Sequence, residues 1–110
     1  GHWGELVLFY AERIANMDRV SGLNHPMATY FRRNLYVTAS GIFLRHYMEQ
    51  AARIVGSDRL LFSTDYPYQY RPGGDARRFL ENCGVDEADR QAFSHGNWER
   101  LIENLPMRSQ

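Results

Sequence analysis

The chain has 110 residues, enough for one small domain at most, and its hydrophobic fraction of 44% excludes a disordered chain. Thirteen basic side chains, all of them Arg, balance thirteen acidic ones, so no basic field exists for nucleic acid or an anionic lipid surface. Cys83 is the single cysteine, which excludes an intrachain disulfide and favours a reducing, cytoplasmic setting, and no apolar run approaches the roughly 20 residues of a membrane span.

Gly-His-Trp-Gly-Glu occupies positions 1–5, and Leu6, Val7, Phe9, Tyr10, Ile14 and Met17 then recur on one face of a helix. That helix starts near Gly4 and Glu5, with an acid in its first turn where the dipole favours it. His2 precedes it, at the place where a strand ends in an α/β unit. Ser21, Gly22, Asn24 and Pro26 break the helix, and residues 28–33 add one short turn. Leu35-Tyr36-Val37-Thr38-Ala39-Ser40, closed by Gly41, is β-branched and aromatic and predicts a strand. Leu44, Tyr47, Met48, Ala51, Ala52 and Val55 then follow helical spacing, with Gly56 at the C-terminal cap.

Residues 59–64 predict the next strand, an apolar run that ends at Asp65. Strand, helix and strand therefore form one parallel unit with a crossover. Residues 66–74, with Pro67, Pro72, Gly73 and Gly74, make a loop longer than a simple connection requires. Asp75 is expected to cap a helix reaching Cys83, Asp86 a helix that ends at His95-Gly96, and Asn97 a last helix reaching Leu105; the tail from Met107 is expected to fray. Two strands cannot form a stable α/β domain by themselves, so the chain reads as the final part of a larger αβ barrel.

Several side chains could carry chemistry. Asp65 lies at the water-exposed end of a buried strand, where a lone carboxylate is costly without a metal or a cation; a cap or a partner for Arg71 is the plainer reading. His2, between two glycines, has room for a close ligand, or else belongs to a flexible first turn or a tag remnant. Glu5 reads first as a helix-start acid. His25, His46 and His95 read as turn, helix-surface and helix-terminus residues, and Cys83 as a buried thiol. Tyr66, Tyr68 and Tyr70 could line an aromatic pocket or an interface, and Ser40-Gly41 could present a hydroxyl or an amide to substrate. No His-x-His, His-Glu-x-x-His, glycine-rich phosphate loop or Gly-x-Ser-x-Gly elbow occurs.

Five motifs occur in order: Gly-His-Trp-Gly-Glu at 1–5, Tyr-Phe-Arg-Arg-Asn at 30–34, Tyr-Val-Thr-Ala-Ser-Gly at 36–41, Asp-Arg-Leu-Leu-Phe-Ser-Thr-Asp-Tyr-Pro at 58–67 and Gly-Asn-Trp-Glu-Arg-Leu at 96–101. Together they resemble the C-terminal part of the amidohydrolase-related metal-dependent family that includes γ-resorcylate, 2,3-dihydroxybenzoate and aminocarboxymuconate-semialdehyde decarboxylases. The resemblance implies a distorted TIM-type (β/α)8 barrel, of which residues 1–110 supply the region after strand six, strands seven and eight, and the closing helices. It further implies that Asp65 ligates a divalent metal, zinc or manganese, and that His2 stands beside that metal to bind a small carboxylate substrate or handle a proton. This weighs against the tag reading of His2. The family's other metal ligands would lie upstream of Gly1, so the 110-residue chain alone is expected to be inactive and, through its open parallel edge, to form homo-oligomers. A metal-dependent hydrolase of an ester, lactone or amide on the same barrel is the alternative activity.

Overall fold

The computed structural model describes residues 2–69 and 71–106; the expected fraying from Met107 and the position of Tyr70 lie outside them. Strand β1, Val37–Thr38, pairs in parallel with β2, Leu60–Leu61, in the register Val37 to Leu60 and Thr38 to Leu61. The ladder continues past the named strands, since the Ala39 amide donates to Leu61 O at 3.1 Å and the Gly41 amide to Ser63 O at 3.1 Å. On the other side of β1, His2 forms a parallel bridge to Thr38, and the Trp3 amide donates to Thr38 O at 2.6 Å. Three strand ends thus lie side by side, in chain order and pointing the same way. This is the arrangement of neighbouring strands in a barrel.

Helix α1 is Glu5–Phe9, α2 Ala11–Ala15, α3 Met27–Asn34 and α4 Arg45–Val55, the last being the crossover between the strands. Helix α4 turns Met48, Ala51 and Val55 onto Val37, Ala39 and Leu60, all of them buried. That stripe at spacings of three and four is what its sequence predicts. Helix α5 is Asp75–Asn82, α6 Glu87–Gln91 and α7 Asn97–Glu103. Trp3, Phe43, Phe62, Phe79 and Phe93 form an aromatic cluster with the ring of Phe93 at its centre, 5.7 Å from Trp3 and from Phe62. Among the described residues no helix is long and apolar enough to cross a membrane.

Four local expectations are corrected. The first helix is interrupted at Tyr10, and only Leu8 of α1 is buried, while Leu6 and Phe9 are 68% and 71% exposed. Leu6 and Phe9 instead border an open cavity shared with Ile42 and Tyr47. Asp75 is not a cap: the left-handed Gly74 precedes the helix, and Asp75 sits in the first turn paired with Arg78. His95-Gly96 does not end a helix, since a π turn at Ala92–Gly96 carries α6 into α7. Asn97 is consequently interior and fully buried, donating to Ser57 O and Leu60 O at 2.8 Å each, in place of capping. The hydrogen-bonding demand of the chain entering β2 outweighs the capping preference of an isolated Asn. Asp86 does cap α6, accepting from the Asp89 amide at 2.8 Å.

Candidate active site at the strand ends

Each of the three strand ends is left through a residue that L-amino acids rarely permit. Trp3 (φ 53°), Glu5 (φ 32°), Ser40 (φ 49°) and Asp65 (φ 56°) are the non-glycine residues with positive φ among those described; Trp3, Ser40 and Asp65 lie at the carboxyl ends of strands, and Glu5 opens the helix that follows the first of them. Each such residue costs about 1–3 kcal/mol, so a group of them needs surrounding structure that over-determines it, a pattern found at functional sites.

At the first strand end the over-determination is visible. The buried Trp3 ring stacks on Phe93 and donates its Nε1 hydrogen to Ile42 O at 2.6 Å. Gly4 (φ 74°) follows, and a Cβ there would lie 2.6 Å from Leu8 Cγ and 3.1 Å from Val37 Cγ1. Only glycine allows the chain to turn this tightly onto β1. The turn leaves His2 at the strand end and brings Glu5 back over it, with Glu5 Oε1 3.2 Å from His2 Nδ1. Glu5 is the first-turn acid of α1, as expected, and also contacts the imidazole.

At the third strand end, Asp65 directs Oδ2 toward His2 Nε2 at 3.3 Å, and its carbonyl accepts from the amides of Tyr68 (2.8 Å) and Gln69 (3.2 Å). The peptide bond from Tyr66 to Pro67 is cis. Among the described residues the ion pair of Asp65 is with His2 and not with Arg71. The side chains of His2 and Asp65 are 32% and 31% exposed, so the pair is half-buried and open to a ligand from the carboxyl side of the strands. A cavity of about 380 Å³ borders His2 and Glu5, walled by Leu6, Phe9, Ile42 and Tyr47. A larger cleft of about 790 Å³ lies beyond Thr64, between the loops that follow β1 and β2, and is not bordered by His2 or Asp65.

The imidazole of His2 is thus flanked by two carboxylates. With its proton on Nδ1 toward Glu5, the Nε2 lone pair faces the Asp65 carboxylate, and a proton or a cation between them relieves the repulsion. Two adjacent ligands of one divalent ion, with bonds of ~2.1 Å, stand about 3.0–3.4 Å apart, which includes the observed separation. Carboxylate oxygen and imidazole nitrogen also suit manganese or zinc. The residues present therefore fit one side of a metal centre. They do not complete it, since no three His, Cys, Asp or Glu side chains among the described residues are grouped to hold a metal.

The other candidates stand elsewhere. The rings of His25 and His46 lie against Tyr30 and Tyr47, and His95 bridges Gln91 and Glu99 on the surface. Cys83 is buried, its thiol directed at Leu80 O. Tyr66 and Tyr68 are exposed. The Ser40 hydroxyl is engaged with Thr38 Oγ1, and its amide donates to Ser63 Oγ at 2.9 Å. The contributions of Trp3 and Ser63 are not apparent from the sequence, because both act through pairings between distant strand ends.

Known proteins carry the same architecture. The sequence profile described as Amidohydrolase matches residues 22–103. The gamma-resorcylate decarboxylase of Polaromonas sp. (strain JS666) is 38% identical over 74 residues, which are 67% of this chain and 22% of that protein. The gamma-resorcylate decarboxylase of Rhizobium sp. (strain MTP-10005) is 34% identical over 109 residues, 94% of this chain and 33% of that protein. The crystal structure of a dihydroxybenzoic acid decarboxylase from Polaromonas sp. JS666, with bound manganese and the inhibitor 2-nitroresorcinol, superposes with a TM-score of 0.78 at 31% identity, covering 94% of this chain and 32% of that one. The chain thus spans about a third or less of the length of these relatives. Its fold is that of the C-terminal portion of their barrel, and the chain belongs to the amidohydrolase family.

Proposed function

We propose that the protein containing this chain is a metal-dependent, non-oxidative decarboxylase of aromatic or enoic carboxylic acids, a carbon-carbon lyase. The observation that carries this reading is the His2–Asp65 contact of 3.3 Å at adjoining parallel strand ends. It occurs in a chain whose relatives are named decarboxylases. The reaction exchanges a carboxylate for a hydrogen: a proton reaches the carbon that bears the carboxylate, the electron pair of the broken carbon-carbon bond returns to the ring, and carbon dioxide leaves. A divalent ion, manganese by analogy with the Polaromonas structure or zinc, would supply Lewis-acid polarisation of the carboxylate and of a neighbouring oxygen substituent. Asp65 would be one of its ligands. His2, whose Nε2 lies against Asp65 and whose Nδ1 lies against Glu5, would stand beside the ion to bind the carboxylate or handle the proton. Leu6, Phe9, Ile42 and Tyr47 offer apolar walls against which an aromatic ring can lie and exclude water.

The hydrolase alternative uses the same pair differently, with Asp65 accepting a proton from an attacking water. The intact gene product, loaded with Mn2+ or Zn2+ and supplied with dihydroxybenzoates, separates the two by release of carbon dioxide. Asp65→Asn and His2→Ala are each expected to remove that release. An intact protein that binds no divalent ion and releases no carbon dioxide from any such acid refutes the decarboxylase reading. The single buried thiol supports a cytoplasmic setting, and the exposed face of α1 supports self-association.

A further inference from the structure

Ser63 joins two of the three strand ends with both of its oxygens. Its Oγ accepts from the Ser40 amide at 2.9 Å, and its carbonyl accepts from the Gly41 amide at 3.1 Å. Its own hydroxyl points back at Ser40 Oγ, 3.5 Å away, which in turn contacts Thr38 Oγ1. Thr38 holds the first strand end, because its carbonyl receives the Trp3 amide next to His2. The polar chain Thr38, Ser40, Ser63 therefore crosses from the His2 side of the site to the Asp65 side. It meets the backbone where the strain lies: Ser40 is left-handed at φ 49°, and Asp65, two residues beyond Ser63, is left-handed at φ 56°.

An ordinary parallel ladder accounts for the Gly41 bond but not for the Ser40 bond. The left-handed turn at Ser40 swings its amide out of the ladder, and Ser63 Oγ is the acceptor that satisfies it. Without that hydroxyl, the amide of a half-buried residue loses its acceptor, and the turn is held against the strand bearing Asp65 by the Gly41 backbone bond without the Ser40 one.

We propose that Ser63 is a positioning residue whose hydroxyl fixes the separation of His2 and Asp65, and with it the fit of a divalent ion between the strand ends. The inference rests on the reading of Asp65 as a metal ligand. Supporting side chains that orient ligands typically change metal affinity by about 10–100-fold when removed.

The test uses the intact gene product, stripped of metal and titrated with Mn2+ alone, with free Mn2+ followed by electron paramagnetic resonance. Ser63→Ala is expected to weaken Mn2+ binding by about tenfold or more, while Ser63→Thr, which restores a hydroxyl, is expected to return it to within about threefold of the unsubstituted protein. Thermal unfolding of the metal-free forms checks that the loss is local. Ser63→Cys keeps the side chain's shape with a weak acceptor and stands in if the alanine form does not fold; it is expected to show the same loss. Binding within about twofold of the unsubstituted protein in Ser63→Ala or Ser63→Cys overturns the proposal, as does a loss that Ser63→Thr does not restore. Asp65→Asn is titrated alongside. If it loses Mn2+ while Ser63→Ala does not, the positioning role falls and the ligand role stands; if Asp65→Asn retains Mn2+, both fall.

Discussion

Replacing Asn97 by Ala removes the link between the last helix and the entrance to β2. Asn97 is fully buried, donates to Ser57 O and Leu60 O at 2.8 Å each, and accepts from Arg100 Nη2 at 2.8 Å. Two neutral hydrogen bonds are worth about 1 kcal/mol each net, and a buried Leu60 carbonyl left without this partner adds about 1–3 kcal/mol, so the expected loss is about 3–5 kcal/mol. This lowers the folding equilibrium constant by about two to three and a half powers of ten. Asn97→Asp keeps the shape, removes the donors and faces a carboxylate toward two carbonyls, so it is expected to cost at least as much. Urea unfolding of the intact gene product measures both losses. A loss below about 1 kcal/mol in Asn97→Ala would refute the reasoning, since it would mean that water or a backbone shift replaces the amide.

Gly4→Ala is expected to destabilise by about 2 kcal/mol or more and to weaken metal binding, because its Cβ would meet Leu8 and Val37 at a positive φ; unfolding and Mn2+ titration check it together. Glu5→Gln keeps the shape over His2 but removes the charge, and is expected to lower kcat about tenfold with KM little changed. An unchanged kcat would reduce Glu5 to a helix-start acid. Leu6→Glu and Phe9→Glu, on exposed positions of α1, are expected to reduce self-association of the 110-residue chain in light scattering and, since both border the cavity beside His2, to raise KM in the intact gene product. Unchanged light scattering would separate that face from self-association.

The helical stripe of α4 and the apolar run before Asp65 were legible because burial imposes a period of 3.6 on a helix covered on one face and a continuous apolar run on a strand covered on both. The parallel crossover followed from strand, helix and strand in order. Helix α1 misled for the same reason: its apolar stripe is real, but Leu6 and Phe9 border an open cavity and only Leu8 of the helix is buried. Asn97 misled because capping is a local preference, and the local preference yields when two distant carbonyls need a donor.

The sequence alone determined the parallel α/β architecture, the placing of an acid at a strand end, and the motif set that resembles this family, since each is carried by neighbours along the chain. The tertiary structure decided that His2 and Asp65, 63 positions apart, meet at 3.3 Å. It also decided that Glu5 holds the other side of the imidazole, and that strained backbone gathers at all three strand ends. Those facts depend on parallel register between separate strands, and register is set by packing across the sheet.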